Sequence, residues 1–220
     1  VTVLLETILG IGMALVMAKD FHGRGLLRAA VLVPWAIPTA ITAKLWAFLF
    51  SEQGIVNSIF HAHVAWQTDP WAARFSIILA DVWKTTPFMA LLILAGLQMI
   101  PKDLYEAARM DGANAWQRFT RITLPLAKNS IIVAVLFRML DALRMYDLPY
   151  IMVGPNPDSP TATLSQLVVA AIRQDHVNAA SALSTLIFLL IFLIALCFVK
   201  SLGARARRYT IARSSVLSPR

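Results

Sequence analysis

Charge is scarce in this chain. Only 15% of its 220 residues are Asp, Glu, Lys or Arg, against about 25% in a soluble domain. That excludes a disordered chain and argues against an ordinary soluble enzyme. Cysteine is nearly absent. Cys197 is the single thiol, so neither an intramolecular disulfide framework nor a cysteine metal cluster is available. No G-x-x-x-x-G-K-[ST] occurs, which excludes a P-loop for ATP. A nucleophile elbow and a metalloprotease helix are missing too, as are low-complexity stretches and internal repeats. What the chain does have is apolar residues, 58% of the total, and a formal net charge of +8. No basic stripe with interleaved base-stacking aromatics accompanies that charge, so nucleic acid is not its reason.

A helix crossing about 30 Å of hydrocarbon needs roughly 20 apolar residues. Five segments meet or approach that length. They are 1–18, interrupted by Glu6; 29–50, containing Lys44; 75–100, with Asp81 and Lys84 near its start; 129–153, with Arg138, Asp141, Arg144 and Asp147; and 181–199, without charge. These runs are too long, and alternate too little, for spanning strands. The expected fold is all-α: a polytopic membrane helix bundle of about five spans, one transmembrane domain over 1–220.

The connectors sort by charge. Lys19, Arg24 and Arg28 follow the first run. Lys102, Arg109, Arg118, Arg121 and Lys128 follow the third, and Lys200, Arg205, Arg207, Arg208, Arg213 and Arg220 the fifth. The opposite connectors, 51–74 and 154–180, hold only Arg74 and Arg173. The positive-inside rule puts the basic set, including a tail over 201–220, in the cytoplasm. The Val1 side is then extracytoplasmic and the Arg220 side cytoplasmic. The Gly/Pro-rich stretch 154–160 reads as an extracytoplasmic loop. The chain opens directly in apolar sequence, with no Met, no basic flank and no signal-peptide pattern. This predicts truncation at the amino end.

Residues 100–125 read IPKDLYEAARMDGANAWQRFTRITLP. Asp103 and Glu106 have the spacing of a capping box, and Gly112 is a natural helix stop. Asn114 and Gln117 repeat the cap spacing, predicting a second short helix with Trp116, Phe119 and Ile122. Pro125 falls where the next span should begin. Local physics thus predicts helix, glycine turn, helix, both helices amphipathic, on the cytoplasmic side. Ala107, Ala108, Gly112 and Ala113 leave room for close approach by another protein. A passive connector is the commoner fate of such a loop; a docking knob is the alternative.

The same residues carry a resemblance. Glu106-Ala107-Ala108, Asp111-Gly112-Ala113, then Phe119, Ile122, Leu124 and Pro125 resemble, as one spaced unit, the "EAA" signature of ATP-binding-cassette importer permeases. Residues 32–38, LVPWAIP, resemble the second-span pattern of the maltose-type sugar permeases. Residues 137–144 with Tyr146 and Asp147, and residues 179–184, resemble their later spans. Residues 83–89, WKTTPFM, are similar to the trehalose-importing branch of that family. The resemblance implies a non-catalytic permease subunit of a bacterial plasma-membrane importer that takes up a sugar, for instance a disaccharide such as trehalose. It implies no cofactor on this chain, with ATP and Mg on a partner ATPase dimer. A second permease subunit, an extracytoplasmic substrate-binding lipoprotein and membrane lipid complete the partners. It also implies that 101–125 is the coupling loop, with Glu106, Ala107, Ala108, Asp111, Gly112, Ala113, Phe119, Leu124 and Pro125 meeting the ATPase. Family members usually have six or more spans, which again predicts a missing amino-terminal span.

Charges inside a bilayer usually face a bundle interior or a cavity. Arg138, Asp141 and Arg144 recur at i, i+3 and i+6, followed by Asp147. They read either as a structural ladder of ion pairs or, with Tyr150, as a polar lining for a sugar. Asp81 and Lys84 read as a pair snorkelling at the outer interface, and Lys44 as structural or cavity-facing. Tyr146, Trp46, Trp83 and Gln98 are further candidates for sugar contact. His61 and His63 lack a third ligand and read as surface residues. Two rival functions follow from the membrane charges: an ion-coupled secondary sugar transporter, and a polytopic enzyme acting on lipid-linked sugars.

Overall fold

Asp69 starts the central helix. Its carboxylate accepts from the N–H groups of Trp71 at 3.1 Å and Ala72 at 2.8 Å, while Pro70 occupies the first turn, where a missing N–H costs nothing. The computed structural model describes residues 1–61, 63–156 and 158–216, with side chains as far as Lys200. In chain order the helices are α1 (Thr2–Met17), α2 (Arg24–Ala36), α3 (Thr39–Leu49), α4 (Ile55–Phe60), α5 (Pro70–Gln98), α6 (Lys102–Met110), α7 (Ala115–Arg118), α8 (Leu124–Leu143), α9 (Asp147–Val153), α10 (Leu164–Arg173) and α11 (Val177–Val216). The all-α expectation holds, with no strand among the described residues.

Central α5 packs against α1, α2, α3, α8 and α9. Lipid supplies no hydrophobic drive between helices, so small residues must allow close approach. They do so here. A Cβ at Gly10 would lie 2.9 Å from Cγ of Met89, and one at Gly96 would run into the Ser130 side chain. Ala14, Ala90 and Ala134 meet Met17, Met89, Ile93 and Leu94 in one buried cluster, and Ala43, Phe50, Ile77, Ala80, Leu148 and Met152 form a second. In contrast, α11 turns Leu186, Phe188, Leu189 and Leu193 outward.

The span count is lower than expected. Among the described residues, three helices are long and apolar enough to cross a membrane: Pro70–Gln98, Ala115–Leu143 and Val177–Lys200. A fourth is gained only if α2 and α3, bent by 85°, count as one broken span. At 16 residues, α1 falls short.

The expected span over 29–50 breaks at Pro38, and that over 129–153 breaks at 144–146, just ahead of Pro149 in α9. Pro38 has no N–H to continue α2, whose last backbone bond runs from Ile37 N–H to the Val33 carbonyl at 3.3 Å. Pro149 likewise cannot donate to the Met145 carbonyl, which takes the Thr163 hydroxyl instead at 2.8 Å. The expected helix over 129–153 therefore stops at Leu143 and restarts at Asp147. At its other end it starts earlier. α7 runs through a wide π turn, Phe119–Thr123, straight into α8, with Leu124 N–H bonded to the Phe119 carbonyl five residues back. That widened turn precedes Pro125 and lets the helix pass it. The second hairpin helix is thus the start of the span rather than a separate element.

Candidate functional site

Two constellations stand at opposite ends of the continuous helix Ala115–Leu143. The first is the hairpin formed by α6 and α7. α6 ends in a Schellman turn. Ala113 N–H donates to the Ala108 carbonyl at 2.9 Å and Gly112 N–H to the Arg109 carbonyl at 3.0 Å. Gly112 has φ +76°, a left-handed conformation that only glycine adopts without strain. Asn114 and Gln117 form the expected reciprocal capping box, 2.8 Å each way. Asp103 and Glu106 do not. α6 begins after Pro101 with no side-chain cap, and Asp103 sits within its first turn, favourable for the helix dipole. The Tyr105 hydroxyl meets the Thr123 hydroxyl at 3.0 Å, and Arg118 donates to the Ala113 carbonyl at 2.6 Å.

These bonds fix the hairpin while leaving its outer face open. Glu106, Ala107, Asp111 and Gly112 are exposed, Ala108, Ala113 and Phe119 half-buried, and Leu124 and Pro125 exposed on the continuous helix. Met110 and Trp116 are 89% and 70% exposed on the same hairpin. At its base, Lys102 reaches Asp20 at 3.1 Å and Arg24 pairs with the same carboxylate. The Lys102 hydrogen bond and charge, with Arg24, hold the Asp20 carboxyl below its usual range.

The second constellation centres on Arg138, 2% exposed. Its Nε donates to Glu6 at 2.5 Å and its Nη2 to the other Glu6 oxygen at 3.0 Å. Nη2 also meets Asp81, and Nη1 donates to Asp141 at 3.1 Å. One guanidinium thus ties α1, α5 and α8 together. Glu6 and Asp81 are buried with it, whereas the Asp141 side chain is 65% exposed. A buried charge without partners would cost several kcal/mol, so this clustering is what makes the three buried groups tenable.

Beside it lies a polar cavity of about 190 Å³, lined by Asp81, Lys84, Arg138, Asp141, Arg144 and Asp147 among others. All four charged residues of the 138–147 series reach this one cavity. Tyr150 does not line it. Tyr150 stacks on Tyr146, a lining residue, at 5.0 Å between ring centroids, with the Arg173 guanidinium 5.3 Å from its ring centre.

The ladder reading holds only for Arg138 with Asp141. Arg144 and Asp147 lie beyond the end of α8 and form no ion pair among the described residues. Asp81 and Lys84 do not snorkel. Both are buried; Asp81 binds Arg138 and Lys84 donates to backbone carbonyls. Lys44 is exposed and off the cavity wall. Trp46 and Trp83 pack against each other, edge to face, and with Gln98 lie off that wall. His61 and His63 are exposed, as expected. Sequence reasoning missed Glu6 as a partner of Arg138, and Thr39 and Thr85 as lining residues. An acid inside an apolar run was the available signal for Glu6.

The chain is similar to known transport permeases. The trehalose/maltose transport system permease protein MalF of Thermococcus litoralis is 45% identical over 205 residues, 91% of this chain and 70% of that protein. The trehalose transport system permease protein SugA of Mycobacterium tuberculosis is 40% identical over 208 residues, 94% of this chain and 67% of its own length. A chain of a bacterial ABC transporter involved in the import of the acidic polysaccharide alginate superposes with a TM-score of 0.79 at 24% identity. That match covers 92% of this chain and 77% of the other and establishes likeness of fold. A family model matches residues 6–208; the chain belongs to the binding-protein-dependent transport system inner membrane components, a family of permease subunits.

Proposed function

We propose that this chain is the transmembrane permease subunit of an ATP-driven sugar importer, with a disaccharide such as trehalose as substrate. One observation carries the reading. The exposed hairpin is clamped through Tyr105 and Thr123 to the same helix whose far end lines the polar cavity. Thr123 and Arg138 are separated by about 22 Å along that helix at 1.5 Å per residue. A push on the hairpin therefore reaches the cavity as motion of one rigid rod. ATP and Mg act on a separate ATPase dimer, which meets Glu106, Ala107, Ala108 and Gly112. The hairpin and the tail over 201–220 face the cytoplasm, and the Val1 side and the loop 154–160 face outward. An extracytoplasmic substrate-binding lipoprotein delivers the sugar. The cavity forms one wall of its path, through Asp141, Arg144 and Asp147, and a second permease subunit forms the other. The relatives' names, trehalose and maltose permeases, support the sugar class. Family membership favours this reading over an ion-coupled secondary transporter.

Cross-linking tests the docking. In a Cys197→Ser background, Ala108→Cys should form a disulfide with cysteines engineered on the ATPase surface of the assembled complex. Equal cross-linking from Phe188→Cys, on the lipid-facing helix, would show the signal to be non-specific and remove the hairpin's assignment.

A further inference from the structure

We infer that Lys84 is a positioning residue of the transport path: its ammonium holds the bend between α2 and α3, and so keeps Thr39 on the cavity wall. The inference rests on the proposed transport function for its meaning and for the uptake arm of its test, though not for the labelling arm.

α2 ends at Ala36, and Pro38 cannot donate to it, so carbonyls at this break lose their helical partners inside an apolar layer. Lys84 projects from α5 directly at them. Its Nζ donates to the Ile37 carbonyl at 2.5 Å and lies 3.5 Å from the Trp35 carbonyl. Trp35 also stacks on Phe88, one turn further along α5, at 5.5 Å between centroids and 13° between planes. The end of α2 is thus held to one face of α5 by an ammonium and a ring.

Lys84 makes no ion pair among the described residues, although Asp81 lies one turn away on α5. The Asp81 carboxylate goes to Arg138 instead. A buried ammonium directed at carbonyls, with a carboxylate within reach of its own helix committed elsewhere, is a cap for a broken helix rather than half of a salt bridge. The chain turns 85° at the break, and the first residue of α3, Thr39, lines the cavity together with Lys84 and Thr85. The same side chain therefore sets the angle of the broken element and forms part of the wall that the angle creates.

The test uses the assembled complex in proteoliposomes with Cys197→Ser and Thr39→Cys. The labelling rate of Thr39→Cys by a hydrophilic thiol reagent is read without sugar. Lys84→Met should slow labelling by about tenfold, the lower range for loss of a charge-assisted hydrogen bond. Lys84→Arg, which can still donate to carbonyls, should restore it. In chains retaining Thr39, Lys84→Met should raise the KM for trehalose uptake more than it lowers kcat. Lys84→Gln serves if the Met variant does not assemble, and should label at an intermediate rate. Unchanged labelling in an assembled Met or Gln variant overturns the inference, as does failure of Lys84→Arg to rescue. A complex that labels as expected yet takes up no sugar would overturn the transport reading while leaving the role of Lys84 standing.

Discussion

Arg138 shows how much one side chain can fix in a membrane domain. Each of its nitrogens meets a carboxylate, and those carboxylates come from three helices. Removing one member of such a cluster strands the others. Arg138→Met should destabilise the protein by about 3–5 kcal/mol, because Glu6 and Asp81 are left buried without their common partner. Replacing the whole set, Glu6→Gln with Asp81→Asn and Arg138→Met, should recover much of that loss. Thermal unfolding in detergent, with the three proteins compared side by side, measures both effects. Equal melting temperatures for wild type and Arg138→Met would mean that the cluster does not hold the helices together. The charges themselves were visible in the sequence, but their partners were not. Spacing along one helix paired Arg138 with Asp141 correctly. Glu6 lies 132 residues away, and no local pattern records which helix packs against which.

At the scale of elements, the hairpin was the most legible part of the chain. Its glycine stop and its second cap are short-range geometry, and Gly112 and Asn114 stand where the spacing put them. Asp103 and Glu106 have the same spacing as Asn114 and Gln117, yet only the second pair caps. The chain leaves α5 through Pro101, so α6 starts one residue before Asp103. The breaks at Pro38 and just ahead of Pro149 were the least legible. Hydropathy is blind to a missing N–H, and a membrane helix tolerates proline when a neighbour takes the freed carbonyl. Here those neighbours, Lys84 and Thr163, are distant in sequence. The legible element also gives a sharp prediction. Gly112→Val forces a β-branched residue into φ +76°, at about 1–2 kcal/mol of strain, and should distort the Schellman turn without touching the membrane core. The variant, and Glu106→Lys on the exposed face, should insert and pair normally yet lower substrate-stimulated ATP hydrolysis severalfold. Hydrolysis at the wild-type level in both would detach the hairpin from coupling.

At the scale of the whole molecule, the helix from Ala115 to Leu143 joins the exposed hairpin at one end to the Arg138 cavity at the other, packed along α5. Neither end alone defines a transporter. An exposed hairpin with no path behind it would be a connector, and a charged cavity with no handle would suit an ion-coupled carrier. Under the proposed function, their placement on one helix, within a family of permease subunits, would join energy supply to substrate movement. The most direct measurement is uptake of labelled trehalose into proteoliposomes containing the complete complex, with binding protein on one side and ATP on the other. The account predicts uptake that requires both ATP and binding protein and persists when ionophores abolish every ion gradient. Uptake that proceeds without ATP and collapses with an ion gradient would contradict it.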